Sequence, residues 1–124
     1  MHICLDIDDT ITYAPGLFAA LLTALPDAEV SVVTFRKRTS DALETLRECG
    51  IRCDRLIVST DPERGQVDGQ NLAEWKASVV NELAPDWFFE DMPEVVSRIR
   101  SEVTVFMPCD EVIRQWLADA ANVQ

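Results

Sequence analysis

Five short runs of apolar, β-branched or aromatic residues recur along the chain: His2–Asp6, Glu29–Thr34, Arg55–Val58, Trp87–Glu90 and Val103–Phe106. Several are apolar throughout instead of alternating, the pattern of parallel strands covered on both faces. Between them the apolar positions take a helical period. Leu17, Phe18, Leu21, Leu22 and Leu25 form one stripe, with Pro15 placed for a first helical turn. Thr39 to Cys49 opens on capping residue types and stops before Gly50. Leu72, Trp75, Val79 and Leu83 mark a third helix before Pro85. A fourth starts near Pro93 with Val95, Val96 and Ile99, and a last one near Asp110 is expected to bury Ile113, Trp116 and Leu117. Ser59–Gln70, rich in Asp, Gly, Pro and Gln, reads as a surface loop.

Strands alternating with helices predict an α/β fold: one doubly wound, mainly parallel five-stranded sheet with helices on both faces. A length of 124 residues suits a single domain, 1–124. In such sheets ligands bind beyond the carboxyl ends of the strands, where the strand order reverses. The strand exits are therefore the places to look for chemistry.

Composition narrows the field. A hydrophobic fraction of 48% with 27% charged residues is an ordinary globular mixture. No apolar run approaches the roughly 18 residues of a membrane span, and Met1–Asp6 lacks a secretory pattern. The expectation is a cytoplasmic protein without membrane contact. A net charge of −11 argues against nucleic acid as a partner, although a bound cation can reverse the local sign for a small anion. Cys4, Cys49, Cys53 and Cys109 show no zinc spacing and read as reduced thiols.

The first strand exits through Asp6-Ile7-Asp8-Asp9-Thr10, three carboxylates and a hydroxyl within five positions. Carboxylates this close repel unless water or a cation separates them. In extended chain a spacing of two returns Asp6, Asp8 and Thr10 to one face. The second strand ends at Thr34, the fourth runs into Glu90-Asp91, and the third helix carries Lys76. Oxygen ligands of this kind suit a hard cation, Mg²⁺ above all. Arg36-Lys37-Arg38 follows Thr34 directly; such runs are usually solvated faces, but beside the forecast site Arg36 is a candidate for binding substrate.

Asp-x-Asp-x-Thr after an apolar strand, then Thr34, Lys76 and Phe89-Glu90-Asp91 in order across residues 3–91, resembles the haloacid dehalogenase superfamily. The resemblance implies a Mg²⁺-dependent phosphatase. Asp6 would be the nucleophile, forming an aspartyl-phosphate, and would ligate the metal. Asp8 would be the general acid and base, with a pKa raised by its acidic neighbours, and its backbone carbonyl a further ligand. Thr34 and Lys76 would hold the phosphate. Asp91 would bind the metal, with Glu90 binding it directly or through water. Asp9 and Thr10 are expected only to shape the turn, through bonds to backbone.

Neither Thr12–Gly16 nor the Ser59–Gln70 loop has room for a cap domain, so the chain resembles the capless branch. That branch implies a large substrate such as a phosphoprotein, or a small phosphorylated molecule met within a homo-oligomer. Two other classes compete. A signalling receiver would carry its phospho-acceptor Asp at the end of the third strand, where Ile57-Val58-Ser59 stands. A catalytically silent binding protein of the same fold would ordinarily have lost a motif acid, and none is lost.

Overall fold

The computed structural model describes residues 1–108 and 110–121, without the side chains of 111–113, 115 and 116. Five strands, β1 (His2–Leu5), β2 (Glu29–Thr34), β3 (Arg55–Val58), β4 (Trp87–Phe89) and β5 (Thr104–Phe106), form one sheet. Its order is β3-β2-β1-β4-β5, and every pairing is parallel. Five helices lie between and after them: α1 (Pro15–Ala24), α2 (Thr39–Glu48), α3 (Leu72–Leu83), α4 (Pro93–Val96) and α5 (Asp110–Ala121).

The sheet is buried on both faces, as its unbroken apolar strands require. On one face Phe18 and Leu22 of α1 and Ala42 and Leu46 of α2 pack on Ile3, Leu5, Val30 and Val32. On the other, Trp75, Val79 and Val80 of α3 and Val95 of α4 pack on Cys4, Val33, Ile57 and Phe88. Side chains that alternate along β1 and β2 thus serve two different cores. Phe18 meets Phe89 edge-on, with ring centroids 5.2 Å apart.

Local signals account for the helix ends. Asn71 caps α3 by accepting from the Glu74 amide at 2.8 Å. At the far end of α1 the Arg52 guanidinium donates to the carbonyls of Ala28, Leu25 and Leu22, at 2.8, 2.7 and 3.4 Å. The Ser59–Gln70 loop is ordered. Asp61 accepts from the amides of Glu63 and Arg64, and the Trp75 indole donates to the Arg64 carbonyl at 2.7 Å. Gly65 passes so close to Asp61 that an added Cβ would lie 2.4 Å from its carbonyl oxygen.

Some expectations need correction. Leu17, placed in the buried stripe of α1, is 63% exposed, and Leu117 of α5 is 67% exposed. Apolar residues widen the stripe beyond what one sheet face can cover. The fourth helix is a single turn before the chain bends at Ser97. Ile113, Trp116 and Cys109 lie outside the described side chains. Among the described residues no helix is long and apolar enough to cross a membrane.

Candidate functional site

Chain order reverses between β1 and β4: β2 and β3 extend the sheet to one side, β4 and β5 to the other. The carboxyl ends of these two adjacent strands are the topological switch point. The Asp6 amide donates to the Phe89 carbonyl at 3.0 Å, so β1 and β4 remain laced up to the residues that leave them. Asp6 and Glu90-Asp91 therefore emerge side by side.

One carboxylate oxygen from each of Asp6, Glu90 and Asp91 lies within 4.8 Å of the others. Lys76, from the middle of α3, reaches this cluster with its side chain wholly buried. Its ammonium donates to Asp6 Oδ1 and stands 2.8 Å from Glu90 Oε1, while the Phe35 ring lies beneath it at 4.6 Å. Glu90 Oε2 accepts from the Asp91 amide at 3.0 Å. Glu90 Oε1 has the ion pair but no aligned hydrogen bond, which leaves a buried carboxylate oxygen under-coordinated. Three carboxylates around one ammonium leave an excess of negative charge when all are ionised. These residues fit a cation with oxygen ligands: converging hard donors and surplus negative charge.

Without a metal, protons must relieve the crowding. Burial, reinforced by Asp6, pushes Glu90 up to about 8 in spite of Lys76. Burial and a hydrogen bond with Asp6 push Asp91 up to about 6. Burial works against the Lys76 charge, but Asp6 and Glu90 outweigh it and raise the ammonium above its ordinary value. One cation cannot neutralise two buried carboxylates, so the spare proton belongs on Glu90.

Thr10 was expected only to shape the turn, yet it joins the cluster. Its hydroxyl donates to Asp6 Oδ2 at 2.9 Å and lies 3.4 Å from Asp91 Oδ1. The reason is the backbone after β1. The chain does not stay extended: Ile7–Ile11 winds into a tight turn closed by the Thr12 amide on the Ile7 carbonyl at 3.1 Å, with Asp9 in the left-handed region at φ 61°. Winding brings the fourth residue, not the second, back over Asp6.

The same turn corrects the expectation for Asp8. Its carboxylate leaves the cluster, 56% exposed, and enters a two-pronged pair with Arg36: Nε to Oδ2 at 3.1 Å and Nη2 to Oδ1 at 2.8 Å. The Arg36 hydrogen bonds hold Asp8 below the usual carboxylate range instead of raising it. Arg36 is itself braced from behind, its Nη1 donating to Thr45 Oγ1 at 2.6 Å and to the Asp41 carbonyl at 3.3 Å. Its fork is thus occupied, so in this state it offers nothing to a substrate. Thr34 is buried at the end of β2, where its hydroxyl accepts from the Arg36 amide at 3.2 Å.

Neither a protein-family model nor a curated protein matches the sequence. Solved structures do. A chain in a structure of the Pnkp1/Rnl/Hen1 RNA repair complex superposes with a TM-score of 0.64 at 16% identity, over 86% of this chain and 42% of that one. A chain in a second Pnkp1/Rnl/Hen1 structure gives 0.63 at 16% identity, over 86% and 45%. This chain therefore spans less than half the length of those it matches, and at such identity the likeness is one of fold: an α/β doubly wound sheet.

Proposed function

We propose that the protein is a phosphomonoester hydrolase of the haloacid dehalogenase type, acting through Asp6 with Mg²⁺. The observation that carries this reading is the convergence of Asp6, Lys76, Glu90 and Asp91, from three separate segments, at the switch point of the sheet. Asp6, Glu90 and Asp91 are the residues to hold the ion, which when bound would offset the charge of an approaching phosphate.

A carboxylate needs no base to become a nucleophile at neutral pH. Thr10 and Lys76 each engage one oxygen of Asp6, which fixes its rotamer. In the first step an Asp6 oxygen bonds to phosphorus, the ester oxygen departs, and the departing oxygen takes a proton. In the second, water attacks phosphorus, loses a proton and restores Asp6. Asp8, two residues on, is the group placed to give and then receive that proton. Paired with Arg36 it is ionised and suited to the second step. To serve the first, its carboxyl must leave the guanidinium, and phosphate oxygens are the natural replacement on that fork. Thr34 contributes a hydroxyl at the neighbouring strand exit. The RNA named for the matched complex is not carried over, because a chain of net charge −11 repels a polyanion.

Hydrolysis of p-nitrophenyl phosphate with Mg²⁺, native protein against Asp6→Asn, tests the reading. Divalent-ion-dependent turnover that falls at least ~1,000-fold in the variant is expected. Turnover that survives the exchange, or needs no divalent ion, overturns it; cation binding with no turnover at all points to a silent binding protein.

A further inference from the structure

Arg36, Lys37 and Arg38 are three of only 11 Lys and Arg residues in the chain, and they follow closely on Thr34 beyond the carboxyl end of β2, the strand next to β1. Arg36 is neutralised by Asp8, with Asp41 3.6 Å away. Lys37 and Arg38 are exposed and form no ion pair among the described residues. Their backbone is nevertheless held in place from the β3 exit. The Ser59 amide and hydroxyl donate to the Arg36 carbonyl at 3.0 and 3.3 Å, and the Thr60 hydroxyl donates to the Lys37 carbonyl at 2.6 Å. Neighbouring like charges repel, and here the loop that carries them is fixed instead of free to spread them apart. In a protein of net charge −11 this is a local reversal of sign.

Beside the loop is a concavity of about 490 Å³ bordered by Arg36, Lys37, Arg38, Ser40, Asp41 and Glu44. Its size suits a small organic ligand. The acids lie on the α2 side and the cations on the loop side, so an anion would be held against the loop.

We propose that this basic loop and its concavity receive a second anionic group of the substrate, so that the substrate class is a small organic phosphate bearing a further carboxylate or phosphate. This deepens the phosphatase reading and rests on it. The cluster at the switch point handles the phosphoryl group that is transferred, and Lys37 and Arg38 handle the group that is kept. The overall charge of −11 disfavours a long polyanion, while a compact dianion meets only the local field.

Phenyl phosphate and its 2-, 3- and 4-carboxy derivatives vary the place of a second anion on one scaffold. Turnover by the native protein with Mg²⁺ and calorimetric binding to Asp6→Asn with Mg²⁺ are measured for each, then repeated with Lys37→Ala/Arg38→Ala added. At least one carboxylated ester is expected to bind about tenfold tighter than phenyl phosphate, with the gain lost in the double variant. Equal binding of all four esters, a gain that survives the double variant, or stronger binding of a 3′-phosphorylated oligonucleotide than of any ester overturns the proposal. Absence of phenyl phosphate turnover alongside an intact binding gain would instead sink the phosphatase reading alone.

Discussion

The Lys76 ammonium stands 2.8 Å from Glu90 Oε1, with both side chains completely withdrawn from solvent. The ammonium engages Asp6 as well as Glu90, so even with the spare proton on Glu90 its removal leaves the remaining negative charge of the cluster without a partner, typically at a cost of about 3–5 kcal/mol. Lys76→Met is therefore expected to lose stability on that order in EDTA and to recover part of it in Mg²⁺. Urea melts in both conditions measure this, and a variant as stable as the native protein in EDTA would contradict it.

Stability of the metal-free protein should fall as pH rises. Glu90 is pushed up to about 8 and Asp91 to about 6, above ordinary carboxylate values near ~4. A raised carboxyl holds a proton in the folded state that the unfolded chain has already released. Its favourable contribution is complete below about pH 4 and disappears as pH climbs through the folded value. Between pH 5 and 8 the melting temperature in EDTA is expected to decline on this account, and Mg²⁺ to raise it more at pH 8 than at pH 5.5. The Glu90→Gln variant should show a flatter decline. A Mg²⁺ effect larger at the acid end would refute the assignment.

The Arg36–Asp8 pair has the opposite sign. Asp8 is held below its usual range, so its contribution is present above the ordinary Asp value and is lost as pH drops through the lowered one. Arg36→Gln should let the Asp8 titration, followed by carboxyl NMR, move upward. Because Asp8 is more than half exposed, the loss of stability should stay below about 1 kcal/mol. An unmoved titration would mean the pair does not persist in solution.

Arg52 offers a purely structural check. Its guanidinium satisfies three carbonyls at the end of α1 and the turn after it. Arg52→Ala should cost about 1–2 kcal/mol in a denaturant melt, with Arg52→Lys intermediate because an ammonium lacks the fork. An Arg52→Lys variant as stable as the native protein would show that charge alone accounts for the effect.

The sheet was legible because its strands are covered on both faces: the Val30–Val33 stretch leaves little choice but a buried strand, and the observed β2 and β3 coincide with the runs read from sequence. The gathering of Asp6, Lys76, Glu90 and Asp91 followed from element order plus the rule for switch points. What pattern reading missed lies in five residues after β1. Extended geometry was assumed through Asp8, whereas the left-handed Asp9 turns the chain, sending Asp8 out to Arg36 and Thr10 in to Asp6. A separation of four between Asp6 and Thr10 was the available signal. Lys76 illustrates the converse. A lone helical lysine is usually solvated, and only the acids on neighbouring strands explain its complete burial.

β1 lies in the middle of the sheet, hydrogen-bonded along both edges. Any fluctuation that would loosen Asp6 must first peel away β2 or β4, so this carboxylate rides on the portion of the molecule that should exchange its amides last. Fraying at β3 or β5 can proceed without disturbing it, and the outer strands are free to diverge while Asp6 keeps its place beside Glu90 and Asp91.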